Sequence, residues 1–239
     1  MNIRAITAVA SLLTFPCMLQ AAEVPQPLKK GDRIVFFGDS ITQAGVNPDG
    51  YVTVLTAAIK AAHPDLGIET VGAGISGDKV PNLQERLEKD VIAKKPTLVF
   101  IYIGINDVWH WKMDKDGKLL DGGTTKEIFE AGLKDIIAKI NAAGARVILC
   151  TPSVIGEKND GSNERDTMLE EYSVVSRKVA TETGSQLVDL RKAFTGHLKA
   201  NNPDNLPQGI LTGDGVHLNP AGNAFVAAEM GKAIGVKVK

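Results

Sequence analysis

The sequence predicts an α/β chain: a three-layer, doubly wound sandwich whose mainly parallel five-stranded sheet carries helices on both faces. Three observations support this. Five β-rich apolar runs alternate with helical patterns, the runs lack the period-two alternation of half-solvated strands, and no repeat or linker interrupts the order. Continuous apolar runs suit strands covered on both sides. Strand–helix alternation brings right-handed crossovers and hence helices above and below a parallel sheet.

Strands are predicted over residues 33–37, 67–71, 97–103, 146–151 and 186–188, with TLVFIYI at 97–103 the strongest. Between them, Phe129, Leu133, Ile136, Ile137 and Ile140 fall on one helical stripe within residues 126–143. Thr124 with Glu127 reads as a capping box opening that helix, and Gly144 as its stop. Leu169, Tyr172, Ser176 and Val179 form a second stripe. A last helix starts with Asn219 as N-cap and Pro220 at the first position, with Phe225, Val226, Met230 and Ile234 on its apolar face.

At 239 residues and 44% hydrophobic content the chain suits one globular domain. A domain of that size buries roughly 70% of its unfolded surface and needs no disulfide or structural metal. Net charge is 27 − 28 = −1, with both signs interspersed. No basic patch is visible, which argues against a nucleic-acid partner. Asp114-Lys115-Asp116-Gly117 opens like a calcium loop but lacks the later ligands and the closing glutamate, so no metal is expected there.

The first residues read as a leader. A basic start through Arg4, an uncharged apolar run over 5–13 and small Ala21 at the cleavage position predict a signal peptide over residues 1–21. A short lead over 22–32 and one domain over 33–239 follow. The apolar run is shorter than the roughly 20 residues of a membrane span, so export to a secreted or periplasmic location is expected. Cys17 lies in the leader. Removing it leaves Cys150 alone, in the apolar run 147–150, as a small buried hydrophobe.

In a doubly wound sheet, ligands bind beyond the carboxyl ends of the strands, where the strand order switches. Polar residues suited to one reaction stand at such ends. Gly38-Asp39-Ser40 follows the first strand, placing a serine N–H near a helix start. Gly104-Ile105-Asn106-Asp107 follows the third and offers a side-chain amide for a developing oxyanion. Gly74 and Gly77, after the second strand, compete as a backbone donor to the same oxygen. Asp214-Gly215-Val216-His217, before the last helix, sets a carboxylate three residues from an imidazole that it can orient as a general base. Singly, each segment is also ordinary turn chemistry. His63, beside Pro64, and His197, in the stretch 192–199, read as solvated surface residues.

Together, and in this order, the segments resemble the SGNH hydrolase superfamily, the GDSL esterases and lipases. The resemblance spans nearly all of the chain from Arg33 to the last helix. Residues 38–42 look like its first block, 76–78 its second, 104–107 its third and 214–217 its last. It implies the flavodoxin-like SGNH fold and a carboxylic ester hydrolase working without metal or organic cofactor. Ser40 would be the nucleophile, His217 its base and Asp214 the orienting carboxylate. The Ser40 and Gly77 N–H groups and Asn106 would form the oxyanion hole.

Both tryptophans, Trp109 and Trp111, follow the third block. Stacking on a sugar and packing of the loop are both open for them. With Asp39 they are the candidate substrate contacts. Export, a single domain and the paired tryptophans favour a short-acyl, acetyl ester on a carbohydrate. A lipid-type acylhydrolase and a non-catalytic carbohydrate-binding module are the alternatives.

Overall fold

A computed structural model describes residues 27–238. The predicted signal peptide over residues 1–21 lies outside the described residues. Five strands form one sheet: β1 (Arg33–Gly38), β2 (Glu69–Gly74), β3 (Leu98–Tyr102), β4 (Arg146–Cys150) and β5 (Gln186–Val188). Their order is β2-β1-β3-β4-β5 and every pair is parallel. The order reverses direction at β1, whose neighbours are β2 on one side and β3 on the other, so a crevice opens beyond the ends of β1 and β3.

Among the described residues, eight α-helices join and cover the strands: α1 (Ser40–Ala44), α2 (Tyr51–Ala62), α3 (Val80–Asp90), α4 (Ile105–Trp109), α5 (Lys126–Ala142), α6 (Asp166–Thr183), α7 (Leu190–Asn201) and α8 (Pro220–Ala233). Helix α2 packs on α8, while α3 packs on α5 and α5 on α6. These groups form the two outer layers that the strand–helix alternation predicts. β1 and β3 run through the middle, with every residue from Ile34 to Phe37 and from Leu98 to Tyr102 buried. The Phe36 and Phe100 rings stack across the two strands at 5.2 Å. The stripes of α5 and α6 are buried as their periodicity requires. Among the described residues, no helix is long and apolar enough to cross a membrane.

Local differences from the sequence reading have physical causes. β2 starts at Glu69, since Gly67 is left-handed (φ +61°) and closes a short 3-10 turn. It then runs on to Gly74 through glycines that propensity disfavours in strands. The cap of α5 is Thr125, whose hydroxyl accepts the Ile128 N–H; Thr124 is buried, and its carbonyl accepts the Tyr172 hydroxyl. Glu127 therefore stands one position too early for the predicted box. His197 lies on α7 with its ring against Phe225 at 5.0 Å, and both His63 and His197 are half-buried at the surface. Cys150 is buried and free, and burial pushes its thiol up, as suits an inert core residue.

Gly74 fixes where α1 sits. A Cβ there would stand 2.1 Å from the Gln43 nitrogen and 2.7 Å from the Asp39 carbonyl oxygen, both backbone atoms that cannot turn aside. Gly74→Ala should therefore cost about 3 kcal/mol, the upper part of the overpacking range. A shift in denaturant midpoint with unchanged slope checks this, and a midpoint like that of the parent would show that α1 is not pinned here.

Candidate active site

Ser40 is brought to the crevice by the end of β1. The strand stops at Gly38, and Asp39 caps α1 by accepting the Ile41 N–H at 3.0 Å. Ser40 is the first residue of that helix, so its own N–H has no intrahelical acceptor.

Facing it is the turn before α8. Ser40 Oγ lies 2.9 Å from His217 Nε2, and His217 Nδ1 lies 2.7 Å from Asp214 Oδ2. The second carboxylate oxygen, Oδ1, accepts the N–H groups of Val216 at 2.9 Å and His217 at 2.7 Å. One carboxylate thus closes the turn and aims the ring, which is what the three-residue spacing achieves. Burial works against the Asp214 charge, but the His217 ring and the two N–H groups prevail and hold the carboxyl below its ordinary range. The side chains of His217 and Asp214 remain 40% and 54% exposed, so the pair stands at an open rim.

The other wall is built by α4 and the loop before α3. Asn106 Nδ2 donates to the Asp78 carbonyl at 3.0 Å, which fixes the amide and leaves its second hydrogen free to act. Buried Asp107 accepts the Val80 N–H at 3.2 Å, stitching the same two segments again. Just before Asp78, Gly77 is left-handed (φ +82°) with open space where a Cβ would stand. Its N–H makes no hydrogen bond among the described residues. Gly74, by contrast, pairs with Gly38 in the sheet and lies pressed against α1.

The three candidate substrate contacts separate. Trp109 is 40% exposed, and its ring meets His217 edge-on at 6.1 Å, on the rim. Trp111 turns away: its indole covers Gly123 and lines a different pocket with Leu119, Leu120 and Tyr172. Asp39 is buried, with its carboxylate engaged in the helix cap, and has no surface to offer a substrate.

Two residues that frame the site escaped the sequence reading. Arg86 on α3 donates to the Gly38 carbonyl at 2.8 Å, the Ala73 carbonyl at 2.9 Å and Asp78 at 2.6 Å, and lies over the Phe37 ring. It ties the ends of β1 and β2 to the loop that carries Gly77. Glu157 is wholly buried under the turn that carries Asp214 and His217. Neither stands in a motif; their only signal is a charged side chain in an otherwise ordinary helix or loop.

Comparison with known proteins agrees with this architecture. Residues 36–225 match the model of the GDSL-like lipase/acylhydrolase family. The chain is 36% identical over 220 residues to an acetylxylan esterase of Geobacillus stearothermophilus, covering 86% of this chain and 94% of that enzyme. It is 25% identical over 210 residues to an isoamyl acetate-hydrolyzing esterase 1 homolog of Rattus norvegicus, covering 81% and 78%. Among solved structures, an acetyl xylan esterase superposes with a TM-score of 0.78 at 44% identity, covering 84% of this chain and 99% of that one.

The buried carboxyl beneath Ser40 gives a pH signature. Burial pushes Asp39 up to about 7; the Ile41 N–H and His217 oppose this, and Asp107 adds to it. An unfolded aspartate titrates near 4, at about 3.9. The folded protein therefore holds the proton that the unfolded chain loses, and stability falls as pH rises from there through about 7. Asp39→Asn keeps the cap acceptor without this cost. Its melting temperature should gain on the parent's by several degrees between pH 5 and pH 8, at about 2–4 °C per kcal/mol. A gap that stays flat or narrows would mean that Asp39 is ionised throughout.

Proposed function

Since the chain belongs to the GDSL-like lipase/acylhydrolase family and is a carboxylic ester hydrolase, we propose that it removes short acyl groups, acetyl above all, from a carbohydrate through an acyl-enzyme on Ser40. The observation that carries this reading is the unbroken chain of contacts from Ser40 Oγ through the His217 ring to Asp214.

In this mechanism the Ser40 oxygen attacks the ester carbonyl carbon while His217 Nε2 takes its proton. Asp214 holds the Nδ1–H tautomer and stabilises the imidazolium. Negative charge gathers on the carbonyl oxygen, which accepts bonds from the Ser40 N–H, the Gly77 N–H and the spare hydrogen of Asn106 Nδ2. The bond to the sugar oxygen then breaks, and His217 returns the proton to it. Water, activated by the same imidazole, attacks the acyl-enzyme and frees acetate and Ser40.

Support for these roles comes from the relatives as well as from geometry. Solved catalytic mutants of the Geobacillus acetylxylan esterase replace a serine, a histidine and an aspartate, the last two at the spacing of Asp214 and His217. The carbohydrate rests on the two acetyl xylan esterases, on the open rim and on Trp109, whose exposed face stands beside the base. A polymer cannot enter a deep pocket, so an exposed imidazole suits it. The leader-like first 21 residues support action outside the cytoplasm.

Ser40→Ala is expected to lower kcat at least ~10⁴-fold, as triad removal does, and Asn106→Ala about 10²–10³-fold with little change in KM. Acetate release from acetylated xylan measures both. Turnover at the parental rate in Ser40→Ala would refute the mechanism, and a change in KM alone would make Asn106 a ground-state binder. Trp109→Ala should cut kcat/KM for acetylated xylo-oligosaccharide about tenfold more than for p-nitrophenyl acetate, equivalent to one lost stacking contact. Equal losses on both would remove the sugar-stacking role.

A further inference from the structure

The turn bearing Asp214 and His217 is mostly irregular backbone, yet its two side chains must hold hydrogen-bond geometry toward a serine on another element. Its own bonds explain only part of that. The bridge between Thr212 and Leu218 and the bond from the Gly213 N–H to the His217 carbonyl at 2.8 Å close the turn locally. They do not fix where the closed turn sits relative to β1.

Beneath it lies Glu157, fully buried, in the loop after β4. Its Oε1 accepts the Leu211 N–H at 2.7 Å, the Thr212 N–H at 2.6 Å and the Thr212 hydroxyl at 2.9 Å. Oε2 accepts the Ile210 N–H at 2.7 Å. Four donors, three of them consecutive backbone groups, converge on one carboxylate. The Thr212 hydroxyl continues the chain of bonds, for its oxygen accepts the Gly215 N–H at 3.1 Å, between Asp214 and His217. The backbone beside Glu157 grips the same turn: Gly156 donates to the Gly215 carbonyl at 2.7 Å, and Glu157 to the Pro207 carbonyl at 2.9 Å. Asn202, itself buried, holds the Glu157 carbonyl at 2.8 Å and so ties this anchor to α7.

Burying a carboxylate is costly unless all of its acceptor capacity is used. A core that needed only packing would be served as well by leucine. What a carboxylate alone supplies is a cluster of acceptors able to gather several N–H groups of an irregular loop into one fixed arrangement. That loop is the one that carries the imidazole and its carboxylate.

We propose that Glu157 is a positioning residue of the ester hydrolase, holding the Asp214–His217 turn in register with Ser40 through Thr212. It touches neither substrate nor the reacting atoms. The inference rests on the proposed roles of Ser40, His217 and Asp214.

Thr212→Val tests it with little change of shape. The valine keeps the volume and removes both the hydroxyl donated to Glu157 and the oxygen that accepts the Gly215 N–H. On p-nitrophenyl acetate, kcat should fall about 10–100-fold, the range for a displaced catalytic group, at nearly constant KM. Thr212→Ser, which keeps the hydroxyl, should return kcat to within about twofold of the parent, a rescue that a purely packing role would not give. Glu157→Gln sets an amide N–H against one of the backbone N–H donors and should lower kcat over the same range. In both damaged variants the downfield proton resonance of the His217–Asp214 bond should broaden or vanish, with circular dichroism still native. Parental kcat in Thr212→Val, or a loss that Thr212→Ser shares equally, would overturn the proposal. Should Glu157→Gln fail to fold, the threonine pair decides alone. Ser40→Ala, measured beside them, separates the two readings: its full activity defeats the mechanism itself, whereas its inactivity with a normal Thr212→Val defeats only the role of Glu157.

Discussion

The contact between Ser40 Oγ and His217 Nε2, 2.9 Å long, joins residues 177 positions apart in the chain. Neither side chain can hold that distance by itself, because each hangs from a turn. The serine side is fixed by the sheet, with β1 buried on both faces and Gly74 letting β2 close against α1. The imidazole side is fixed by the carboxylate of Asp214, which shapes its own turn, and by the bonds under that turn. What the fold contributes to the proposed chemistry is the agreement of two independently anchored turns to within a hydrogen bond.

Carboxylates are used in three electrostatic settings around the site. Asp214 is half exposed and held ionised by its hydrogen bonds, as the partner of an imidazolium should be. Glu157 is buried and gathers backbone donors. Asp39 and Asp107 lie buried beneath Ser40 and Asn106, and burial pushes them up to about 7 and about 6. Asp39, which still holds part of its proton near neutrality, adds less negative charge below the place where the proposed mechanism gathers an oxyanion than an ordinary carboxylate would. The arrangement sets negative charge beside the imidazole and reduces it beneath the oxygen.

Much of this was legible in the sequence, for identifiable reasons. The central strands announce themselves because covering both faces demands unbroken apolar runs, as in 97–103. The Asp214–His217 pair is legible because a local spacing of three residues creates the contact within one turn. The sequence offers Asp39 as a substrate contact, but the same short carboxylate that could face a ligand also caps a helix, and here it caps α1. Proximity in sequence groups Trp111 with Trp109, but two residues along a short helix and its exit turn them to different sides. Arg86 and Glu157 were invisible because their partners are backbone groups of distant segments, which leave no pattern in residue types. Local chemistry shows in a sequence, whereas contacts to remote backbone appear only once the chain is folded.

The most direct test of the central claim is covalent trapping of the nucleophile. The intact protein, treated with a fluorophosphonate and analysed by mass and peptide mapping, should take up one phosphonyl group per chain, on Ser40, in step with loss of esterase activity. Inactivation without modification of Ser40, or full labelling of Ser40 with activity retained, would contradict the account.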